Sequence, residues 1–212
     1  MNTTIAATSL LLRSRRNLGR IEMAKPKGNI AALDEQLIEK TVDRRIEFEG
    51  RVFKVEVKNV ELFDGSVSNR EIVLHNGGAT ILALDDDMNV YLVRQFRSPY
   101  EKVLLEAPAG KLEKGEDPKA CAIRELKEET GMEAKTVTDL GELYATPGYC
   151  SEIIHLYLAQ DLSFGEGNPD DGEFLQLVKM PLTEALEMVD NNEISDAKTM
   201  VALLKTARRV GV

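Results

Sequence analysis

Glu125, Glu128 and Glu129 have the side chains and the spacing in this chain that point most directly to chemistry. At i, i+3 and i+4 they share one face of any helix that carries them and repel one another at close range. Asp117 suits an N-cap, Pro118 the first helical position and Gly131 the left-handed residue that closes a helix, so the spacing predicts a helix from about Pro118 to Thr130. The three carboxylates then also oppose the negative end of the helix macrodipole, at roughly a few tenths of a kcal/mol each. A bound divalent cation removes that cost. An all-oxygen donor set, with no Cys or His in it, selects Mg²⁺ or Mn²⁺ over Zn²⁺. The competing reading is an acidic helix face that simply meets solvent.

The wider segment favours the metal. Gly110, Glu116, Arg124, Glu125, Leu126, Glu128, Glu129, Gly131 and Met132 fit G-x5-E-x7-R-E-U-x-E-E-x-G-U, with U a bulky apolar residue, at every fixed position. Average residue usage puts chance agreement on the order of 10⁻⁹ per starting point. On these residues the chain resembles the Nudix hydrolases, which cleave a nucleoside diphosphate linked to another moiety. The resemblance implies an α/β protein, an α/β/α sandwich on mixed sheets with an N-terminal antiparallel β extension. It implies Glu125 and Glu129 as principal metal ligands, Glu128 as a further or water-mediated one, and the Ala109 carbonyl completing the set. Arg124 and Glu116 would brace the preceding loop against the helix.

Three further stretches are similar to the ADP-ribose pyrophosphatase branch of that family: Val93-Arg-Gln-Phe-Arg-Ser-Pro99, Leu104-Leu-Glu-Ala-Pro-Ala-Gly110 and Thr146-Pro-Gly-Tyr-Cys-Ser-Glu152, with Pro147 sixteen residues beyond Gly131. The activity implied is Mg²⁺-dependent hydrolysis of ADP-ribose to AMP and ribose 5-phosphate. By the same resemblance Arg70 and Arg97 would contact phosphates or ribose, for which guanidinium forks are suited. Glu152 would lie by the second ribose or a metal-bound water. Phe63 would stack on adenine, in the partner subunit of a homodimer that exchanges its N-terminal strands. The general base is expected on the acidic loop Gly167–Gln176, with Glu173 first, Asp171 second and the box residue Glu128 third. Each of these residues taken singly also fits an ordinary surface or core role. Two other functions fit the same box. One is a hydrolase of nucleotide sugars such as ADP-glucose, or of dinucleotides; the other is a non-catalytic module that senses ADP-ribose. Silent modules usually lose box carboxylates, and this chain keeps all of them.

The elements that must position these residues are legible as alternation and turns. Residues from about 34 to 75 alternate as antiparallel strands do, with Phe63-Asp-Gly-Ser66 as a hairpin turn. Strands are expected at Ala79–Leu84, Val90–Phe96 and Val103–Leu105, with Asp85-Asp-Asp-Met-Asn89 as a turn only, since it lacks an EF-hand pattern. Beyond the box come strands near Thr136–Leu143, Ile153–Ala159 and Phe174–Met180. Pro181 then opens a helix to Asp190, and Ser195 or Asp196 caps another that runs to Arg208.

At 212 residues the chain suits one core with appendages. The expected division is a tail or targeting segment over 1–33, a dimerising β subdomain over 34–76 and a catalytic domain over 77–212. A net charge of −9 argues against non-specific nucleic-acid or anionic-membrane binding, so the expected partner is a small nucleoside diphosphate met by local positive charge or metal. Cys121 and Cys150 have neither the number nor the context of a disulfide framework. No apolar run has the length of a transmembrane helix, and a cytoplasmic location is expected. Residues 1–20 carry four arginines and no acid, the composition of an organellar presequence, whereas Met23-Ala-Lys-Pro-Lys reads as a second start.

Overall fold

The computed structural model describes residues 37–165 and 174–212. The arginine-bearing N-terminal segment and the loop residues Asp171 and Glu173 lie outside the described residues.

Three strands, β1 (Lys40–Glu49), β2 (Lys54–Glu61) and β3 (Val67–Leu74), form an antiparallel sheet in that order. The Asp64-Gly65 turn closes the β2–β3 hairpin as its residues suggest, with Leu62 N–H donating to Ser66 O at 2.8 Å. The second sheet contains β4 (Gly78–Leu84), β5 (Asn89–Arg97), β6 (Lys102–Glu106), β7 (Ala109–Lys111), β8 (Met132–Tyr144), β9 (Ile153–Phe164) and β10 (Gln176–Pro181). Its order is β10-β5-β4-β9-β8, with β6 added to β5 and β7 to β4. Only the β4–β9 pairing is parallel among those described, so the sheet is mixed.

Helices cover both faces. The box helix α1 (Pro118–Thr130) packs Cys121, Ala122 and Leu126 against Ala79, Ile81 and Ala83 of β4. On the other face α2 (Leu182–Asp190) and α3 (Ala197–Val210) pack Leu182, Ala185, Ala202 and Leu203 against Leu82, Leu84 and Leu92. Every β4 residue is therefore buried, which explains a continuous apolar run where a one-sided strand would alternate. This is the expected α/β/α sandwich with an N-terminal antiparallel extension.

The sheet splits at the place that matters. β4 and β5 pair only at Ala83–Tyr91 and Leu84–Val90, beside their turn. Farther on, β5 pairs with β6 and β4 with β7, so the link Ala107-Pro108 bridges a widening gap. Pro108 O fills backbone needs there, accepting from Ile81 N–H and Thr80 Oγ1, both at 2.9 Å. Alternation does not reveal β7, because three residues are too few to show a period. Elsewhere the ends shift. β8 starts directly at Met132, β9 extends to Phe164, β10 starts at Gln176 and α3 reaches Val210.

Candidate active site

The box helix begins and ends where its residues require. Asp117 Oδ1 accepts from Ala120 N–H at 3.0 Å, Pro118 is the first helical residue, and Gly131 at φ 72° donates its N–H to Lys127 O. These caps place Glu125, Glu128 and Glu129 in the last turns, with Glu125 and Glu129 on the side that meets β7. Glu129 Oε2 accepts from Ala109 N–H at 3.2 Å. Glu125 comes closer still to Gly110, where any Cβ would collide with its carboxyl. Thus two box carboxylates rest on the Ala109–Gly110 backbone, a contact only glycine permits.

Arg124 sits among the same carboxylates. Its Nε donates to Glu116 Oε1 at 3.0 Å, and its Nη1 donates to Glu125 Oε1 at 2.6 Å and Glu128 Oε2 at 2.8 Å. Glu116 also accepts from Glu113 N–H at 2.9 Å, so the expected brace between loop and helix is present. The hydrogen bond with Glu116 and the neighbouring carboxylates hold Arg124 well above its usual range, and Arg124 in turn holds Glu116 below its own. The structure adds one point to the sequence argument: a metal is not the sole source of relief for the glutamate repulsion, because the Arg124 guanidinium offsets part of it.

Among the described residues, no group of three His, Cys, Asp or Glu side chains converges as a ready metal cage. The fit to a hard divalent ion rests on the donor set and the cradle. Glu125 and Glu129 present carboxylate oxygen beside a backbone that carries the Ala109 carbonyl, and Glu128 stands one turn from Glu125 on the same face. Oxygen donors of this kind suit Mg²⁺ or Mn²⁺.

Arg97 ends β5 and is tied to Glu106, the last residue of β6. Nε donates to Oε1 and Nη2 to Oε2, each at 2.7 Å. Glu106 is 1% exposed and also takes a hydrogen bond from Lys198 Nζ. Burial alone would raise the Glu106 carboxyl, but the Arg97 hydrogen bond and the Lys198 charge outweigh it and hold it below the usual glutamate range. Arg97 is raised chiefly by its hydrogen bonds to Glu106, and it also feels the charges of Asp196 and Glu129. Glu106 lies in a quoted motif, yet Lys198 is ninety-two residues away from it, so no local pattern connects the pair.

Of the other expected residues, Glu152 immediately precedes β9, whereas Arg70 and Phe63 belong to the N-terminal sheet and its hairpin turn. Glu152 Oε1 lies 3.2 Å from His75 Nδ1, because the Thr146–Cys150 loop is clamped onto β3 through Val73 N–H donating to Tyr149 O at 2.7 Å. Arg70, on β3, donates to Glu39 and to Ser68 Oγ. Phe63 is 68% exposed in the β2–β3 turn. The structure therefore gathers Ala109, Glu125, Glu128 and Glu129, with Arg97 nearby, and leaves Phe63 and Arg70 on the N-terminal sheet. Just past β9, Gly165 N–H donates to Gly131 O at 2.8 Å, so the strand ends against the C-terminal end of the box helix.

The NUDIX domain model matches residues 74–203. The chain belongs to the Nudix family. Among curated relatives, this Nudix chain is 43% identical over 171 residues to an ADP-ribose pyrophosphatase of Bacillus subtilis, spanning 80% of this chain and 92% of that protein. It is 44% identical over 167 residues to a methanol dehydrogenase activator of Bacillus methanolicus, spanning 78% of this chain and 90% of the relative. A crystal structure of an ADP compounds hydrolase superposes with a TM-score of 0.73 at 25% identity, covering 82% of this chain and 94% of that one. Relatives of nearly equal identity thus carry different names, so overall similarity alone does not choose the substrate.

Proposed function

We propose that the protein hydrolyses the pyrophosphate of ADP-ribose to AMP and ribose 5-phosphate with Mg²⁺ or Mn²⁺. The observation that carries this reading is the complete box, its carboxylates packed on Ala109–Gly110, in a chain that shares 43% identity with an ADP-ribose pyrophosphatase over 92% of that protein's length. Glu125, Glu129 and the Ala109 carbonyl would hold the ion, with Glu128 as a further or water-mediated ligand. The ion would neutralise diphosphate charge and acidify a bound water. Glu173 would take the proton of that water, with Asp171 and then Glu128 as substitutes. Arg97 would contact phosphate or ribose, and Glu152, beside His75, would lie by the second ribose or a metal-bound water.

The same reading makes the protein a homodimer in which Phe63 and Arg70 reach the partner's site. Supporting it, β1 is an edge strand exposed along all ten residues, with Ile46 and Phe48 among them. Such an edge invites pairing. The N-terminal sheet would then be a dimerising module over 34–76, distinct from a catalytic domain over 77–212.

A panel of ADP-ribose, ADP-glucose, GDP-mannose and dinucleotides, incubated with Mg²⁺ and resolved by product chromatography, tests the activity. Preferred cleavage of ADP-ribose, abolished by chelation, is expected. Faster cleavage of a nucleotide sugar would transfer the site to that substrate, and binding without cleavage of any diphosphate would make it a sensor. Light scattering tests the assembly. An active monomer at micromolar concentration would remove the shared-site role of Phe63 and Arg70.

A further inference from the structure

Glu106 carries a carboxylate into the core at the end of β6, where it is 1% exposed. A buried charge persists only when it is opposed and hydrogen-bonded, and two cations reach this one, Arg97 from the paired strand β5 and Lys198 from ninety-two residues away. Arg97 forms a two-point fork with Oε1 and Oε2, 2.7 Å at each contact. Lys198, in the first turn of α3, donates to Oε2 as well, and its Nζ lies 3.0 Å from Asp196 Oδ1. The Lys198 side chain is itself 11% exposed, so it contributes little as a solvent-facing charge.

We propose that Lys198 is a positioning residue for substrate binding: it anchors the Glu106 carboxylate and so fixes the seat on which the Arg97 guanidinium is held for the substrate diphosphate. The inference rests on the phosphate-binding role proposed for Arg97. Arg97 is at the end of a strand and its side chain is 38% exposed, a place where a long side chain samples many rotamers. Pairing with a carboxylate restricts it only if the carboxylate cannot turn with it. A third point of attachment supplies that restraint, since Lys198 is held by Asp196 and by the helix. The same turn of α3 also grips the next backbone unit, because Ala107 N–H donates to Thr199 Oγ1 at 2.7 Å, and Thr199 Oγ1 donates to Asp196 Oδ2 at 2.6 Å. Docking α3 therefore sets both the Glu106 side chain and the strand link that leads to Ala109. A pre-organised guanidinium loses less side-chain entropy when it meets a phosphate than a mobile one.

The test uses the full chain with Lys198→Met, which keeps the apolar stem and removes the charge, and Lys198→Arg, which keeps the charge. ADP-ribose affinity is measured by calorimetry in EDTA, and kcat and KM are measured in Mg²⁺. Lys198→Met should raise both Kd and KM about tenfold while kcat stays within about threefold, the pattern of lost binding that is common to ground and transition states. Lys198→Arg should restore most of the affinity. In an Arg97→Met background, Lys198→Met should add less than about a twofold loss, because its effect passes through Arg97. A lower melting temperature with unchanged Kd and KM per folded molecule would make Lys198 merely structural and overturn the proposal. So would fully additive losses with Arg97→Met, or an Arg97→Met variant of unchanged affinity. Wild type that binds ADP-ribose in EDTA but never cleaves it would sink the proposed activity and leave the Lys198 assignment standing; wild type that does not bind it sinks both.

Discussion

The carboxyl of Glu125 lies on the backbone of Gly110, in the space a Cβ would take. This contact joins the first glycine of the box to the first of its three helix glutamates across fifteen residues of sequence, and it gives both a reason for their spacing. β7 runs past the last turns of α1, so a side chain at position 110 would displace the Glu125 carboxylate from its place on β7.

Gly110→Ala should therefore impair the site more than the fold. The colliding atoms are the end of a flexible side chain, which can swing away, so the melting temperature should move by only a few degrees. Turnover at limiting Mg²⁺ should fall at least about tenfold, equivalent to roughly 1.4 kcal/mol. A Mg²⁺ titration of activity checks it, and an unchanged midpoint would break the link between Gly110 and the ion.

Glu129→Gln preserves size and removes charge, and its amide can still accept from Ala109 N–H. Turnover should drop at least about a hundredfold with the fold intact, the scale of losing a principal electrostatic contribution. Steady-state kinetics with circular dichroism measures both. Near-normal activity at limiting Mg²⁺ would take Glu129 out of the ligand set.

Arg124→Met leaves Glu116, Glu125 and Glu128 without the guanidinium that now bonds all three. Because these groups are partly open to solvent, the loss should be about 1–2 kcal/mol rather than that of a buried pair. Mg²⁺ should then raise the melting temperature of the variant more than that of wild type, since the ion takes over charge that Arg124 no longer offsets. Equal shifts in the two proteins would show that the ion and Arg124 act on different carboxylates.

Asp85 offers a test of stability away from the site. Burial would raise its carboxyl, but Lys179 at 2.8 Å, Asn89 N–H at 2.8 Å and Tyr91 Oη at 3.1 Å outweigh burial and hold it at about 2, below its ordinary 3.8. A depressed carboxyl stabilises the fold fully above the unfolded value and loses that contribution as pH falls from about 3.8 through about 2. Asp85→Asn should cost on the order of 1–2 kcal/mol at neutral pH and almost nothing near pH 2, read by urea unfolding at several pH values. A constant difference across that range would mean that shape, not charge, matters at this turn.

The residues of α1 specify its cap, its length, its closing glycine and the common face of three glutamates, because each depends on neighbours within four positions along the chain. The hairpin turns at Asp64-Gly65 and Asp85–Asn89 are legible for the same reason. The unbroken apolar run of β4 likewise marks a strand covered on both faces. Outside those local rules the reading thins: β7 is too short to show a period, and β8 begins with no loop after Gly131.

What only the tertiary structure decided is which charges meet. Sequence spacing placed Arg124 beside the glutamates but did not reveal that it bonds Glu116, Glu125 and Glu128 at once. Nor did it join Arg97 to Glu106, which the β5–β6 pairing brings about, or Lys198 to the same carboxylate, which requires α3 to dock its first turn at the end of β6. Helix caps and turns are decided by neighbours in the chain, whereas an ion pair in a core is decided by packing that brings remote segments within about 3 Å. The chemistry of the box was therefore written locally, and the seating of the residues around it was set by how the sheet splits.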